Sequence, residues 1–149
     1  MAHPAFWLAT WFGSGLLRPA PGTWGSLAAL PPAWLLVHLG GVPLLAAGIV
    51  AVSLAGWWAA ERYTGGGKSD PGEVVIDEVA GQWVVLLAAP LDLGYYAAGF
   101  VLFRALDITK PWPASWADRK LPGGLGIMLD DILAAGYGLA ALLVFRYLW

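Results

Sequence analysis

Six of the ten carboxylates are grouped at three places beside strongly apolar segments of the chain. The first heads the stretch GEVVIDEVAGQWVVLLAAP, the second ends the stretch FRALD, and the third lies within GGLGIMLDDILAAG. An unpaired carboxylate is costly to desolvate and rarely persists beside apolar segments without a partner. These acids therefore need cations or hydrogen-bond donors, and they are Glu73, Asp77, Glu78, Asp107, Asp130 and Asp131.

The spacing of the first group favours a shared cation. Glu73 and Asp77 are four residues apart and would share a helix face, where like charges repel. Glu78 is rotated from Asp77 by about 100°. If the three groups converge at one depth, they form an oxygen-only site of the kind that Mg²⁺ prefers, often together with substrate phosphates. The chain has no cysteine, and its two histidines, His3 and His38, are far apart.

Each acidic group also has a purely structural explanation. Asp70, Pro71 and Glu73 match a helix-capping pattern, which predicts a helix start at Asp70 and puts Asp77 beyond the first turn. The acids of LDDIL would complement the positive end of the last helix, one turn after its predicted start. Asp107 could pair with Arg104 or Lys110. Both interpretations of these acids stay open at this point.

A second feature, GSGLLRPAPGTWGSL at Gly13 to Leu27, could bind an anion. Thr23 is the predicted N-cap of the first long helix, and backbone N–H groups at a helix N-terminus form a natural anion site. The alternative is a proline- and glycine-rich turn that only starts a helix. The candidate phosphate-binding residues are Arg18, Gly22, Thr23, Gly25 and Ser26, and the further bases that could neutralise a phosphate are Lys68, Lys110 and Arg119.

The composition indicates what must position these residues. The 149 residues, enough for one domain, are 59% hydrophobic and 12% charged, whereas soluble domains carry about a quarter charged residues. Ten tryptophans fit the interfaces of a membrane. The net charge of −2 gives no indication of nucleic-acid binding. The sequence predicts an all-α, multi-pass membrane protein that forms a single domain over residues 1–149.

About five apolar helices are expected. Their approximate ranges are 25–39, 42–60, 71–90, 93–106 and 127–149. About 20 apolar residues cross a bilayer, so the second and fifth are long enough, and the others would be partial or tilted spans. Breaks at Gly40 to Pro43 and at Ala89 to Gly94 predict helical hairpins.

The basic residues predict the topology. With five spans, seven of the eight lysines and arginines fall on one side, in the N-terminal segment and the two long loops. Positive loops stay in the cytoplasm, so this side is the predicted cytoplasmic one. The acids that could do chemistry lie near the same side.

Four stretches carry a resemblance to a known family. GLLRPAPGTWGSL, DPGEVVIDEVAGQW, DITKPWP and GGLGIMLDDILAAGYG occur in this order and, with the helices between them, cover nearly the whole chain. In this combination the chain resembles bacterial phosphatidylglycerophosphatase A. The resemblance implies a Mg²⁺-dependent phosphoric monoester hydrolase of the bacterial inner membrane. It would hydrolyse phosphatidylglycerophosphate, a phospholipid of the cytoplasmic leaflet, to phosphatidylglycerol and phosphate.

The residue roles follow as hypotheses. Asp77, Asp130 and Asp131 would hold Mg²⁺, with Glu73 and Asp107 as further ligand candidates, while Glu73 or Glu78 orients a water. Lys110, Arg18 or the turn from Thr23 to Ser26 would stabilise the phosphoryl oxygens. The catalytic residues would be Asp77, Glu78, Lys110 and Asp131. The alternative functions are a small cation transporter or a structural membrane partner, although no polar path continues away from the acids.

Overall fold

The computed structural model describes residues 4–16, 21–64, 74–109, 111–112, 114–120 and 123–148. Every regular element in these ranges is helical, which confirms the predicted all-α fold for this part of the chain. The elements are α1 (Pro4–Ala9), a 3-10 turn (Ser14–Leu16), α2 (Pro21–Thr64), α3 (Ile76–Leu86), α4 (Leu93–Thr109), α5 (Ala114–Lys120) and α6 (Gly123–Leu148).

Helix α2 bends sharply at Gly41. This residue has φ 73° and ψ −170°, a conformation that glycine adopts without a steric penalty. Pro43 follows it, and a proline cannot donate to the preceding turn. The predicted break at Gly40 to Pro43 is confirmed, and it divides α2 into a first limb, 21–40, and a second limb, 42–64.

The expected number of about five membrane-crossing helices was wrong. Two helical stretches in the described residues are long and apolar enough, Gly22–Arg62 and Leu125–Leu148. Helix α3 has 11 residues and is about 16 Å long, roughly half the thickness of a bilayer core. The apolar composition of α3 is therefore not explained by exposure to lipid.

The cause is the central position of α3 in the bundle. It packs against α2, α4 and α6, and nine of its 11 residues are buried. A helix surrounded by other helices is apolar on all sides, as a membrane span is. The indole of Trp83 donates a hydrogen bond to the carbonyl of Ala29 at 2.8 Å, which fixes α3 against the first limb.

The directions of α3, α4 and α6 bring one end of each helix to the same end of the bundle. Along α6, successive residues contact α3 and then the turn that follows it. Gly81 of α3 lies beside Asp131, and the carbonyl of Ala88, just after α3, accepts a hydrogen bond from Arg146 at 3.2 Å. Helices α3 and α6 are therefore parallel. Helix α4 runs the opposite way, because Tyr95 near its start packs on Phe145. The first turns of α3, the last turn of α4 and the N-terminal part of α6 consequently share one end of the bundle.

The start of α3 differs from the expected capping pattern. The N-cap is Val75, without a side-chain capping hydrogen bond, and its N–H donates to the carbonyl of Ala9 at 2.7 Å. Asp77 and Glu78 lie in the first turn of the helix rather than beyond it. The helix that carries Asp77 therefore starts at Ile76 and not at the expected Asp70, while residues 65–73 lie outside the described residues.

Candidate active site

Five of the predicted acids meet at this end of the bundle. Carboxylate oxygens of Asp77, Asp130 and Asp131 all lie within 4.8 Å of one another, and so do those of Glu78, Asp107 and Asp131. Asp131 belongs to both groups and joins them. The acidic cluster, as these five residues are called below, takes side chains from α3, α4 and α6.

Most of the acidic cluster is shielded from solvent. Its four aspartates are buried, and Glu78 is half-buried. Like charges so close together in a region of low polarity repel strongly, and a cation between them offsets both the repulsion and the desolvation. Every donor is a carboxylate oxygen, which suits a hard divalent cation such as Mg²⁺. The donor set and the spacing therefore fit the metal that the sequence predicts.

A glycine sets the distance between α3 and α6. A Cβ atom on Gly81 would lie 2.5 Å from Phe103 Cε1 and 3.0 Å from the backbone oxygen of Asp131. No side chain fits there, so α6 approaches the backbone of α3 directly. Gly81 is four residues after Asp77 and shares its helix face, so this close approach brings Asp77 to Asp131.

One guanidinium lies against the acidic cluster in the part of the chain that the structure describes. Arg104 Nη1 lies 3.8 Å from Glu78 Oε1 and forms an ion pair with Asp107. Sequence reasoning considered Arg104 only as a partner of Asp107 and missed it as a site residue. The available signal was the three-residue spacing, which places an arginine and an aspartate on one helix face.

The N-terminus of α2 lies against the same ion pair. A Cβ atom on Gly22 would be 2.9 Å from Glu78 Oε1 and 3.0 Å from Arg104 Nη1. Because α2 begins at Pro21 rather than at the predicted N-cap Thr23, the N–H groups of Gly22 and Thr23 belong to its first turn. Such groups lack intrahelical partners and carry the positive end of the helix dipole.

The next residues of α2 are placed differently. Gly25 packs against Val75, whose Cβ would be 2.7 Å from a Cβ on Gly25, and this contact explains the glycine by packing alone. Ser26 is fully buried, and its hydroxyl has no hydrogen-bond partner among the described residues. Phosphate contacts of Gly25 and Ser26 stay predictions. The predicted site residues Arg18, Glu73 and Lys110 lie outside the described residues.

Gln82 is a second residue that sequence reasoning missed. It is fully buried on α3, one turn after Glu78, and neither of its amide atoms has a hydrogen-bond partner in the described ranges. A buried amide without a partner is costly, so natural proteins seldom retain one without a reason. The signal was the single uncharged polar side chain within DEVAGQW, on the face that also carries Glu78.

Replacing Gly22 with alanine tests the contact between α2 and the ion pair. The new methyl group would meet the mobile ends of Glu78 and Arg104, so the fold should persist with a stability change below about 1 kcal/mol. The phosphate release that the family resemblance implies should fall by about tenfold to a hundredfold, since a displacement near 1 Å in a site has effects of this size. Turnover and thermal unfolding of the purified variant are the measurements.

Gly136→Ala is the matched control for this prediction. Gly136 is also in a helix, and no described heavy atom lies within 4 Å of a Cβ placed on it. This change should keep turnover and raise stability by about 0.5–1 kcal/mol, because alanine favours the helix more than glycine. Equal turnover in Gly22→Ala and Gly136→Ala would show that the start of α2 takes no part in the site.

The fold and the site together define a class of protein. Its described residues form a helical bundle in which an oxygen-only acidic cluster lies beside a guanidinium and a helix N-terminus. This combination suits a cation and a phosphate group.

Comparison with known proteins agrees with this class. The family described as Phosphatidylglycerophosphatase A matches residues 7–146. Phosphatidylglycerophosphatase A of Escherichia coli (strain K12) is 42% identical over 135 residues, which are 90% of this chain and 78% of the relative. The Haemophilus influenzae protein of the same name is 41% identical over 149 residues, 99% of this chain and 91% of the relative. The chain belongs to the phosphatidylglycerophosphatase A family, which confirms the resemblance and makes it a phosphoric monoester hydrolase.

A third relative carries a different name. A Bacteroides thetaiotaomicron protein, provisionally named a phosphatidylinositol-3-phosphatase, is 38% identical over 158 residues, covering 99% of this chain and 98% of the relative. No solved structure is significantly similar to the chain. None of the relatives carries a name that supports cation transport or a structural role.

Proposed function

We propose that this protein hydrolyses phosphatidylglycerophosphate to phosphatidylglycerol and inorganic phosphate at the acidic cluster, with Mg²⁺ as its cofactor. The observation that carries the proposal is the position of Asp131. It joins two groups of carboxylates beside Arg104 and the start of α2. Residues that would bind a cation therefore lie next to groups that would bind the phosphate of a monoester.

Asp77, Asp130 and Asp131 would hold the cation. A bound Mg²⁺ supplies polarisation of the phosphoryl oxygens and a water that loses its proton more readily. Asp107 and Glu73 remain further ligand candidates. The close packing at Gly81 keeps the carboxylates of α3 and α6 at a fixed separation, so little reorganisation is needed during the reaction.

The remaining residues act on the phosphate and on water. The Arg104 guanidinium lies at one side of the acidic cluster with Gly22 packed against it. There the guanidinium and the N–H groups in the first turn of α2 would donate to phosphoryl oxygens. Glu78 lies within the acidic cluster and next to Arg104, and it would accept the proton of the attacking water. Asp107 holds Arg104 in place. Arg18 and Lys110 would add further positive charge.

The same proposal includes the location of the protein. Two apolar stretches long enough to cross a membrane and the basic residues of the loops support a multi-pass protein of the bacterial inner membrane. The acidic cluster would face the cytoplasm, where the long loops carry most of the basic residues. Its substrate would then come from the cytoplasmic leaflet.

Phosphate release from phosphatidylglycerophosphate tests the proposal. The full chain is purified in detergent and assayed with Mg²⁺, with EDTA, and with EDTA followed by excess Mg²⁺. Release should require the metal and return when it is restored. No release from a folded sample in any of these conditions would overturn the proposal, and a cation-flux assay in vesicles would then test transport.

A second substrate tests the headgroup. Phosphatidylinositol 3-phosphate is the informative comparison, because a relative of similar identity bears that name. Phosphatidylglycerophosphate should be hydrolysed with the higher kcat/KM. A higher kcat/KM for the inositol lipid would support the phosphatase reaction but would show that the proposed substrate is wrong.

A further inference from the structure

We infer that the groove between the first limb of α2 and α4 binds one acyl chain of the phospholipid whose phosphate lies at the acidic cluster. This inference rests on the proposed function and adds a binding site for the lipid tail. The groove has a volume of about 480 Å³ and a lining that is almost wholly apolar. It is called the acyl groove below.

The α2 wall of the acyl groove is a regular helical stripe. It consists of Leu27, Leu30, Pro31 and Trp34. The spacing of three and four residues puts all of them on one face of the first limb. Leu27 is five residues beyond Gly22, which corresponds to about 7.5 Å along the helix. Trp34 is about 18 Å from Gly22 by the same measure.

The α4 wall repeats this spacing in the opposite direction. It consists of Leu93, Tyr96, Ala97 and Phe100. Phe100 is one turn before Arg104, about 6 Å along the axis, and Leu93 is about 16 Å away. The rings of Trp34 and Tyr96 meet edge to face at 5.1 Å and join the two walls. Both walls therefore extend by nearly the same distance from the site.

The two walls also meet at the site itself. Gly22 of α2 and Arg104 of α4 are in such close contact that a Cβ on Gly22 would lie 3.0 Å from the guanidinium. A phospholipid has its phosphate at one end and its acyl chains directly behind the glycerol. A phosphate beside Arg104 would direct a chain into the space between the two helices that meet there. Charge at one end and an apolar channel behind it fit this chemistry and no fully polar ligand.

A second apolar groove lacks this connection along one of its two walls. It lies between α4 and α6 and includes Ala141 and Phe145, with a volume of about 540 Å³. Ala141 is ten residues beyond Asp131, which is about 15 Å along α6. Its α6 wall does not reach the acidic cluster, so this groove serves as an internal comparison of similar size and polarity.

The test uses bulky substitutions at the two ends of the acyl groove. Leu27→Trp fills the end near the site, and Leu93→Trp fills the far end, where Leu93 is 79% exposed and tolerates a larger side chain. The full chain in detergent is assayed with phosphatidylglycerophosphates that carry dihexanoyl, didecanoyl or dipalmitoyl chains. Ala141→Trp in the second groove is the matched control.

The expected result is a chain-length limit that moves with the substitution. Leu93→Trp should lower kcat/KM for the dipalmitoyl lipid by about tenfold and leave the dihexanoyl lipid unchanged, since apolar pockets discriminate by size to this extent. Leu27→Trp should lower kcat/KM for the didecanoyl lipid as well. Ala141→Trp should keep the wild-type profile.

Two other outcomes separate the two proposals. Wild-type turnover with the same chain-length profile in all three variants would overturn the acyl groove and leave the phosphatase proposal intact. A folded wild-type protein that releases no phosphate from any of the lipids would overturn the phosphatase proposal and this inference together. A cooperative thermal unfolding transition close to that of the wild type verifies that each variant has folded.

Discussion

Replacing Asp131 with asparagine should lower phosphate release by about a thousandfold, since loss of one preorganised electrostatic group in a site commonly costs this much. Asp131 belongs to both carboxylate groups of the acidic cluster. Its charge therefore acts on the bound cation and also on Glu78 and Arg104, which lie on the other side of the cluster. Asparagine keeps the size of the side chain but loses its charge. Phosphate release at saturating substrate is the first measurement.

The metal dependence of Asp131→Asn separates a ligand from a structural residue. Half-maximal activity should require a higher Mg²⁺ concentration than in the wild type, because one of the ligand carboxylates has become neutral. In EDTA the variant should unfold at a higher temperature than the wild type, because a buried like charge has been removed from the cluster. A structural aspartate would give lower stability in both conditions and an unchanged metal requirement.

Asp92→Asn is the control for this experiment. Asp92 is exposed near the start of α4, and its carboxylate accepts a hydrogen bond from the N–H of Tyr95 at 3.0 Å. Asparagine preserves this kind of cap, so activity and metal dependence should stay at wild-type values. Full activity in Asp131→Asn would exclude Asp131 from the site and leave Asp77 and Asp130 as the remaining candidates for that group.

The acids of the candidate site could be predicted from the sequence, because the free-energy cost of desolvating a carboxylate is evident from its apolar sequence neighbours. Asp130 and Asp131 interrupt an apolar helix, and one acid would be enough to complement the positive end of that helix. Their convergence with Asp77 and Asp107 followed from the hairpins, which the breaks near Gly41 and Asp92 indicate. A pattern of helices and turns was enough to place these acids at one end of the bundle.

The rest depended on contacts between distant segments. The DPGE pattern predicts a helix start at Asp70, yet Val75 is held outside α3 by its hydrogen bond to Ala9. The apolar composition of α3 predicts a membrane span, because a helix buried among helices and a helix in lipid need the same residue types. The residues adjacent in sequence determine neither how long a helix is in the folded protein nor which side chains surround Gln82.

Arg104 carries the second large expected effect. Its guanidinium lies between Glu78 and Asp107, and its side chain is 17% exposed. In Arg104→Met the two carboxylates lose this counter-charge, and breaking such a buried pair costs about 3–5 kcal/mol. The free energy of unfolding, measured by chemical unfolding in detergent, should fall by an amount in this range.

Loss of activity in Arg104→Met has to be separated from this loss of stability. Arg104→Lys should keep most of the stability and still lose activity, since an ammonium cannot reproduce the two-pronged donation of a guanidinium to phosphate. This division between stability and turnover distinguishes a phosphate-binding arginine from a structural one.

Arg146→Met provides the comparison at the opposite end of α3. Arg146 donates a hydrogen bond to the carbonyl of Ala88 at 3.2 Å, so its loss should cost about 1 kcal/mol. Turnover should not change, because this residue is remote from the acidic cluster. If Arg104→Met retained wild-type kcat/KM, the phosphate would not be bound at the junction of α2 and α4. The chemistry would then depend on the carboxylates and their cation, with other basic groups binding the phosphate.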